Sequence, residues 1–323
     1  MSDIVTLPES TPPVLIAHQS RDIGQGVFRL LLWAACALFG IMLTGLVFTL
    51  IEGSWDSILT FGFRFLWTTV WNPVTGKFGA AAFMYGTFVT SLMALLFAGT
   101  IGVISAIFLA EFAPQRLSGL LGVLIEMLAA VPSVVFGLWG LFVLAPLVQN
   151  YIGPVFQDTL GFLPLFQGTI YGVNYFTAAL ILALMIVPTI MAITRDLIIS
   201  TPSSVRESAL ALGSTRWEAV TKVVLPNLQS GIFGAFMLAL GRALGETIAT
   251  TMVIGNRPAI SASLFAPGYT IAAGIANEFT EATSQIYLSA LVELGLMLLI
   301  LSVAVNAVGR LFLRSIKRRT GEA

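Results

Sequence analysis

The chain has 323 residues, a formal net charge of zero, 57% hydrophobic and only 10% charged residues, with a mean hydropathy of +0.93. Soluble domains carry roughly 25% charged residues, so the composition excludes an ordinary soluble domain and predicts an all-α, polytopic membrane protein. Zero net charge gives no global field toward nucleic acid. A single cysteine, Cys36, cannot close an internal disulfide, and a single histidine, His18, argues against a His-based metal site or catalytic triad.

Residues 1–26 are polar and carry Pro8, Pro12 and Pro13, with no short apolar core followed by a small-residue cleavage site. They read as a cytoplasmic tail. A membrane span needs about 20 predominantly apolar residues. Six candidates meet this, at roughly 27–51, 82–110, 118–149, 173–199, 227–255 and 286–311. The predicted organisation is a first span with an extracytoplasmic interfacial segment over 27–81, a transmembrane domain over 82–314, and a basic tail over 315–323.

Lys and Arg set orientation. With the N-terminus inside, Arg21, Arg29, Arg116, Arg195, Arg206, Arg216, Lys222, Arg310, Arg314, Lys317, Arg318 and Arg319 are cytoplasmic, against Arg64, Lys77 and Arg257 outside. That asymmetry predicts both termini in the cytoplasm. Trp55, Trp67 and Trp71 in the first outer segment predict an interfacial helix, with an ordered loop as the alternative.

Span three contains Pro132-Ser133, which predicts a kink where the Ser133 hydroxyl satisfies a freed carbonyl and exposed backbone lines a path. Glu126 reads as a snorkelling carboxylate. Thr87, Thr90 and Ser91 in span two read equally as intrahelical hydrogen bonders or as pore lining. Glu293 in span six has no partner evident in the sequence.

The loop 200–226, STPSSVRESALALGSTRWEAVTKVVLP, reads as helix–glycine–helix. Thr201-Pro202 suits an N-cap and first helical position, and Ser204/Glu207 and Thr215/Glu218 have capping-box spacing. Gly213 occupies the expected left-handed terminator position. Glu207-Ser208-Ala209, Gly213 and Leu225-Pro226 resemble, in type and spacing, the "EAA" loop of ABC importer permeases, departing at Ser208. The resemblance implies that Glu207, Ala209, Gly213 and Pro226 belong to a coupling helix docking into a partner ATPase. This chain has no G-x-x-x-x-G-K-[ST] loop. ATP and Mg²⁺ are therefore expected on the partner, with no cofactor here and no enzymatic activity of its own.

Span five carries GRALGETIATTMVIG from Gly241 to Gly255. On a continuous helix Arg242 and Glu246 share one face, and Gly241, Gly245 and Ala249 form a small-residue contact stripe. An isolated charge mid-span costs about 2.5–3.5 kcal/mol. Two readings stay open: Arg242, Glu246, Thr247 and Ser133 handle an anion along a pathway, or Arg242 and Glu246 form a structural ion pair.

This stretch, with 83–112, 126–140 and 270–282, resembles the PstC-type permease family of phosphate ABC importers. The resemblance implies a type I ABC importer permease fold with six transmembrane helices. It implies a PstA-like permease partner, a PstB-like ATPase dimer and an extracytoplasmic PstS-like phosphate-binding protein, all within membrane lipid and without nucleic acid. The competing readings are a sulfate, molybdate or tungstate importer of the same class, and a stand-alone secondary transporter. A membrane enzyme ranks below them for want of clustered His, Cys or carboxylates.

Overall fold

The computed structural model describes residues 23–320, with side-chain surroundings described over 26–314. The expectations for His18, the N-terminal tail and the basic residues beyond Arg314 lie outside that side-chain range. The chain divides into two units, Met1–Thr49 and Leu50–Ala323. The first contains the opening turns of α1 (Ile23–Phe61), whose Val27, Phe28, Trp33 and Phe39 are exposed. Cys36 is exposed as well.

The second unit contains the remaining helices. Among the described residues five helices are long and apolar enough to cross a bilayer: Gly26–Phe61, Ala81–Phe112, Ser133–Leu160, Tyr175–Ser200 and Gln285–Arg314. A sixth candidate is the pair Arg216–Asn227 and Gln229–Leu244, bent by 70° as in a broken span or a re-entrant loop. In chain order after α1 come α2 (Arg64–Trp67), α3 (Ala81–Ile107, continued by Phe108–Phe112), α4 (Gln115–Ala129) and α5 (Ser133–Leu160). Next are α6 (Tyr175–Ser200), α7 (Ser203–Ala211), α8 (Arg216–Asn227), α9 (Gln229–Leu244), α10 (Ile248–Val253), α11 (Ile271–Glu278) and α12 (Gln285–Thr320).

Two predicted spans change. The third does not run over 118–149. A break at 130–132 separates α4 from α5, because Pro132 lacks an N–H and sits at φ −59°, ψ 140°. The Ser133 hydroxyl makes no hydrogen bond there. The fifth span is likewise two helices, α9 and α10. The outer segment begins as the last turns of α1, which runs on to Phe61 and carries Trp55, and continues as one helical turn, α2, and a loop. That loop is closed by a backbone bridge between Asn72 and Lys77. Trp71 packs edge-on against Phe78 and Phe83, both at 4.8 Å.

The centre of the unit is α3 against α6. Gly86, Thr90, Ala94, Ala98, Gly102 and Ala106 recur at every fourth residue of α3 and are all buried. Small residues at this spacing bring two backbones close. A Cβ added at Gly102 would stand 3.0 Å from the Ile190 side chain of α6. The hydroxyls on α3 are intrahelical: Thr87 donates to the Phe83 carbonyl and Thr90 to that of Gly86, each at 2.8 Å, and Ser91 to that of Thr87. Thr87 also accepts the Ile271 N–H at 2.9 Å, tying α11 to α3. A second close packing joins α5 to α10, where a Cβ on Gly137 would meet the Ala249 Cα at 3.1 Å.

Among the described residues four widened, π-type turns interrupt these helices: Phe108–Phe112, Gly140–Leu144, Val148–Ile152 and Ala219–Val224. Each ends two residues before a proline, at 114, 146, 154 and 226. Proline removes a donor and its ring crowds the preceding turn. Widening that turn by one residue relieves the clash.

Candidate functional site

The Arg242 region is built on a helix end. Helix α9 stops at Leu244, with Gly245 at φ −93°, ψ 0° and Thr247 at φ −108°, ψ −64°. Arg242 and Glu246 are thus not four residues apart on one helix, and no ion pair joins them. Instead Glu246 accepts the Ala249 N–H at 3.2 Å and satisfies an orphan donor at the start of α10. Thr247 donates to the Gly245 carbonyl at 3.2 Å. The expected stripe is divided by the same break. Ala249 is fully buried against Gly137, whereas a Cβ at Gly241 would meet nothing within 4 Å and one at Gly245 only the Gly241 carbonyl at 3.8 Å.

Arg242 lines a cavity of about 440 Å³ with Thr189, Met237, Leu238, Gly241 and Asn306. Thr189 follows Pro188 inside α6. Asn306 in α12 donates to the Ser302 carbonyl at 2.8 Å, which leaves its second amide hydrogen unspent. Guanidinium, hydroxyl and amide donors from three helices thus share one space, a donor set suited to an oxyanion. Ser133, Glu246 and Thr247 do not line it. Thr189 and Asn306 escaped the sequence reading because a lone Thr and a lone Asn in apolar helices carry no spacing signal.

The loop 200–228 is a helix hairpin, α7 and α8. Helix α7 begins at Ser203 after Pro202, one residue later than expected, and neither Thr201 nor Ser204 caps it. It ends as a Schellman motif: the Gly213 N–H donates to Leu210 at 2.9 Å and the Ser214 N–H to Ala209 at 3.2 Å, with Gly213 at φ +86°. The Thr215/Glu218 capping box is formed. Lys222, bonding Glu218 at 2.9 Å, and the Thr215 N–H and hydroxyl hold that carboxyl down at about 2. Those contacts exist above the ordinary carboxylate range and are lost only as pH falls toward about 2. The hairpin therefore keeps them at every physiological pH.

Glu207, Leu210 and Leu212 are exposed, Leu212 at 88%, as is Trp217 at the start of α8. Ala209 is 6% exposed and supports the hairpin from beneath rather than forming its outer surface. Pro226 is half-buried at the 70° bend between α8 and α9. Two further polar groups find their surroundings only in the tertiary structure. Glu293 is buried beside Ser57 with its Oε2 lacking a hydrogen bond, and the Ser57 N–H donates to Ser289 at 3.0 Å. Arg206, on the inner side of α7, pairs with Glu111 at 2.8 Å.

A bundle of apolar helices with a protruding hairpin and a polar cavity defines a multi-pass membrane permease. Residues 98–321 match the family model described as binding-protein-dependent transport system inner membrane component. The chain belongs to this family. It is similar to the phosphate transport system permease protein PstC of Mesorhizobium japonicum, 48% identical over 97% of this chain and 98% of that protein. It is also similar to the PstC of Pasteurella multocida, 48% identical over 88% of this chain and 90% of that protein. Its fold matches a chain of the bacterial alginate ABC transporter in complex with alginate pentasaccharide-bound periplasmic protein, with TM-score 0.60, 14% identity, and 93% and 98% of the two chains covered. It also matches a chain of the MetNI methionine ABC transporter, with TM-score 0.54, 15% identity, and 76% and 99% covered.

Proposed function

We infer that the chain is the permease subunit of an ATP-driven phosphate importer, forming the translocation pathway with a second, PstA-like permease. The observation that carries this reading is the near end-to-end identity with proteins named PstC. The open cavity lined by exposed Arg242 with Thr189 and Asn306 supports a place for the anion on this face of the bundle. Phosphate passes Arg242, whose planar fork neutralises charge and donates twice. Glu246 and Thr247 shape the break beside it. Ser133 opens α5 at the other helix break, where freed backbone adds polar surface to the route.

Both termini lie in the cytoplasm, and so does the α7–α8 hairpin. Its exposed Glu207, Leu210 and Leu212 with the Gly213 turn dock on a PstB-like ATPase dimer, which binds ATP and Mg²⁺. Ala209 and Pro226 keep the knob rigid against α8 and its bend. A PstS-like binding protein delivers phosphate from outside. ATP binding draws the coupling helices together and opens the bundle outward, and hydrolysis resets it.

Uptake of radiolabelled phosphate by the reconstituted complex, with sulfate and molybdate as competitors, tests the reading. The expected result is ATP-dependent phosphate uptake that excess sulfate or molybdate leaves unchanged. Strong competition by either would move the chain to another oxyanion, and uptake without any ATPase would remove it from this class.

A further inference from the structure

Arg206 stands in the first turn of α7, and its guanidinium reaches three places. Nε donates to Glu111 Oε1 at 2.8 Å, Nη1 to the Thr201 carbonyl at 2.8 Å, and Nη2 to the Ile198 carbonyl. Ile198 and Thr201 close α6, where the Ile198 carbonyl accepts the Thr201 N–H at 3.2 Å and the guanidinium adds a second donor to it and one to the Thr201 carbonyl. Glu111 lies in the widened turn that ends α3 ahead of Pro114. The two charged side chains are only 23% and 15% exposed, so solvent screens them little. One planar fork therefore ties α7 to the ends of both helices that form the central packing. The backbone link Thr201-Pro202 joins α7 to α6; this ion pair ties α7 itself to α3, beside the packing of Val220 and Val224 of α8 on Ile107.

We propose that Arg206 is a positioning residue that passes displacement of α7 to α3 and α6 together, so that movement of the hairpin becomes movement of the bundle. This rests on α7 being the element that docks the ATPase. All three nitrogens are engaged, and a lysine ammonium cannot reproduce a fork with fixed directions. Exchanging Arg206 and Glu111 retains an ion pair but removes the guanidinium donors from the Thr201 and Ile198 carbonyls, leaving Ile198 only the Thr201 N–H.

The test uses the assembled transporter in proteoliposomes, reading phosphate uptake per ATP hydrolysed, and co-purification of the ATPase. In Arg206→Ala and Arg206→Lys the ATPase stays attached and hydrolyses ATP, while uptake per ATP falls by at least about fivefold, the lower end of ordinary coupling between sites. The exchange Arg206→Glu with Glu111→Arg does not restore it. An unchanged ratio in Arg206→Ala, full rescue by lysine or by the exchange, or loss of the bound ATPase would each overturn the proposal. Should Arg206→Ala not assemble, Glu111→Gln carries the test: a lowered ratio supports the tie to α3, and an unchanged one refutes it. The docking assignment fails separately, if Leu212→Ala and Glu207→Ala leave ATPase attachment and coupling at wild-type levels.

Discussion

At the scale of the residue, Arg242 and Glu246 serve different ends. Glu246 starts α10 through the Ala249 N–H, and Arg242 faces a cavity shared with Thr189 and Asn306. Loss of Arg242 removes charge and donors together. Arg242→Ala should lower phosphate uptake about 10–100-fold at unchanged protein level, the equivalent of one or two charge-assisted bonds. The double variant Arg242→Glu with Glu246→Arg should not recover transport, because no ion pair exists to invert; wild-type uptake in it would restore the structural-pair reading. Glu246→Gln keeps an acceptor for α10 but removes the charge. Uptake should fall while the thermal melting point holds, and a parallel fall in both would assign Glu246 to folding alone. Both charges were evident in the sequence, since an ionisable group in an apolar stretch is conspicuous. Their separation was not, because Gly245, which ends α9, carries the same local signal as Gly241, which lies inside it.

At the scale of the element, proline placement explains most departures from regular helix. The four widened turns before Pro114, Pro146, Pro154 and Pro226 re-aim the chain beyond them, and the first sets Glu111 within reach of Arg206. The α7 terminator depends on a left-handed Gly213. A β-branched residue there costs about 1–3 kcal/mol in backbone strain. Gly213→Val should therefore distort the knob and uncouple ATP hydrolysis from uptake, which an ATPase assay run beside transport would reveal; unimpaired coupling would count against docking at this turn. On α3, Gly102→Val drives a branched side chain into Ile190 at 3.0 Å. Overpacking of this kind costs about 1–3 kcal/mol, which a melting curve in detergent should show as a lowered midpoint. The capping box at Thr215 and the glycine stop were legible because both are local. The interruption at Pro132-Ser133 was legible too, as a kink, but not that it divides two helices and shifts the span to Ser133–Leu160, because hydropathy runs unbroken through Val131.

At the scale of the whole molecule, the proposed assembly gives the exposed knob and the cavity between α6, α9 and α12 their use, the first for an ATPase and the second beside another permease. Gly241 and Gly245 face open space in this chain, which suits close approach by the partner permease. Gly241→Leu should therefore weaken co-purification of the two permeases while the isolated chain melts normally. Retained association would leave that face to lipid.

The sequence by itself determined the membrane class, the hydrophobic spans to within a few residues at three of six places, and the family, because these depend on composition and on motifs within one stretch of chain. Only the tertiary structure decided which polar residues meet. Arg206 with Glu111, Thr189 with Arg242 and Asn306, and Thr87 with Ile271 are each far apart in sequence. No local pattern encodes such pairs, since helix packing sets them through small residues and proline-widened turns whose effects accumulate over whole helices.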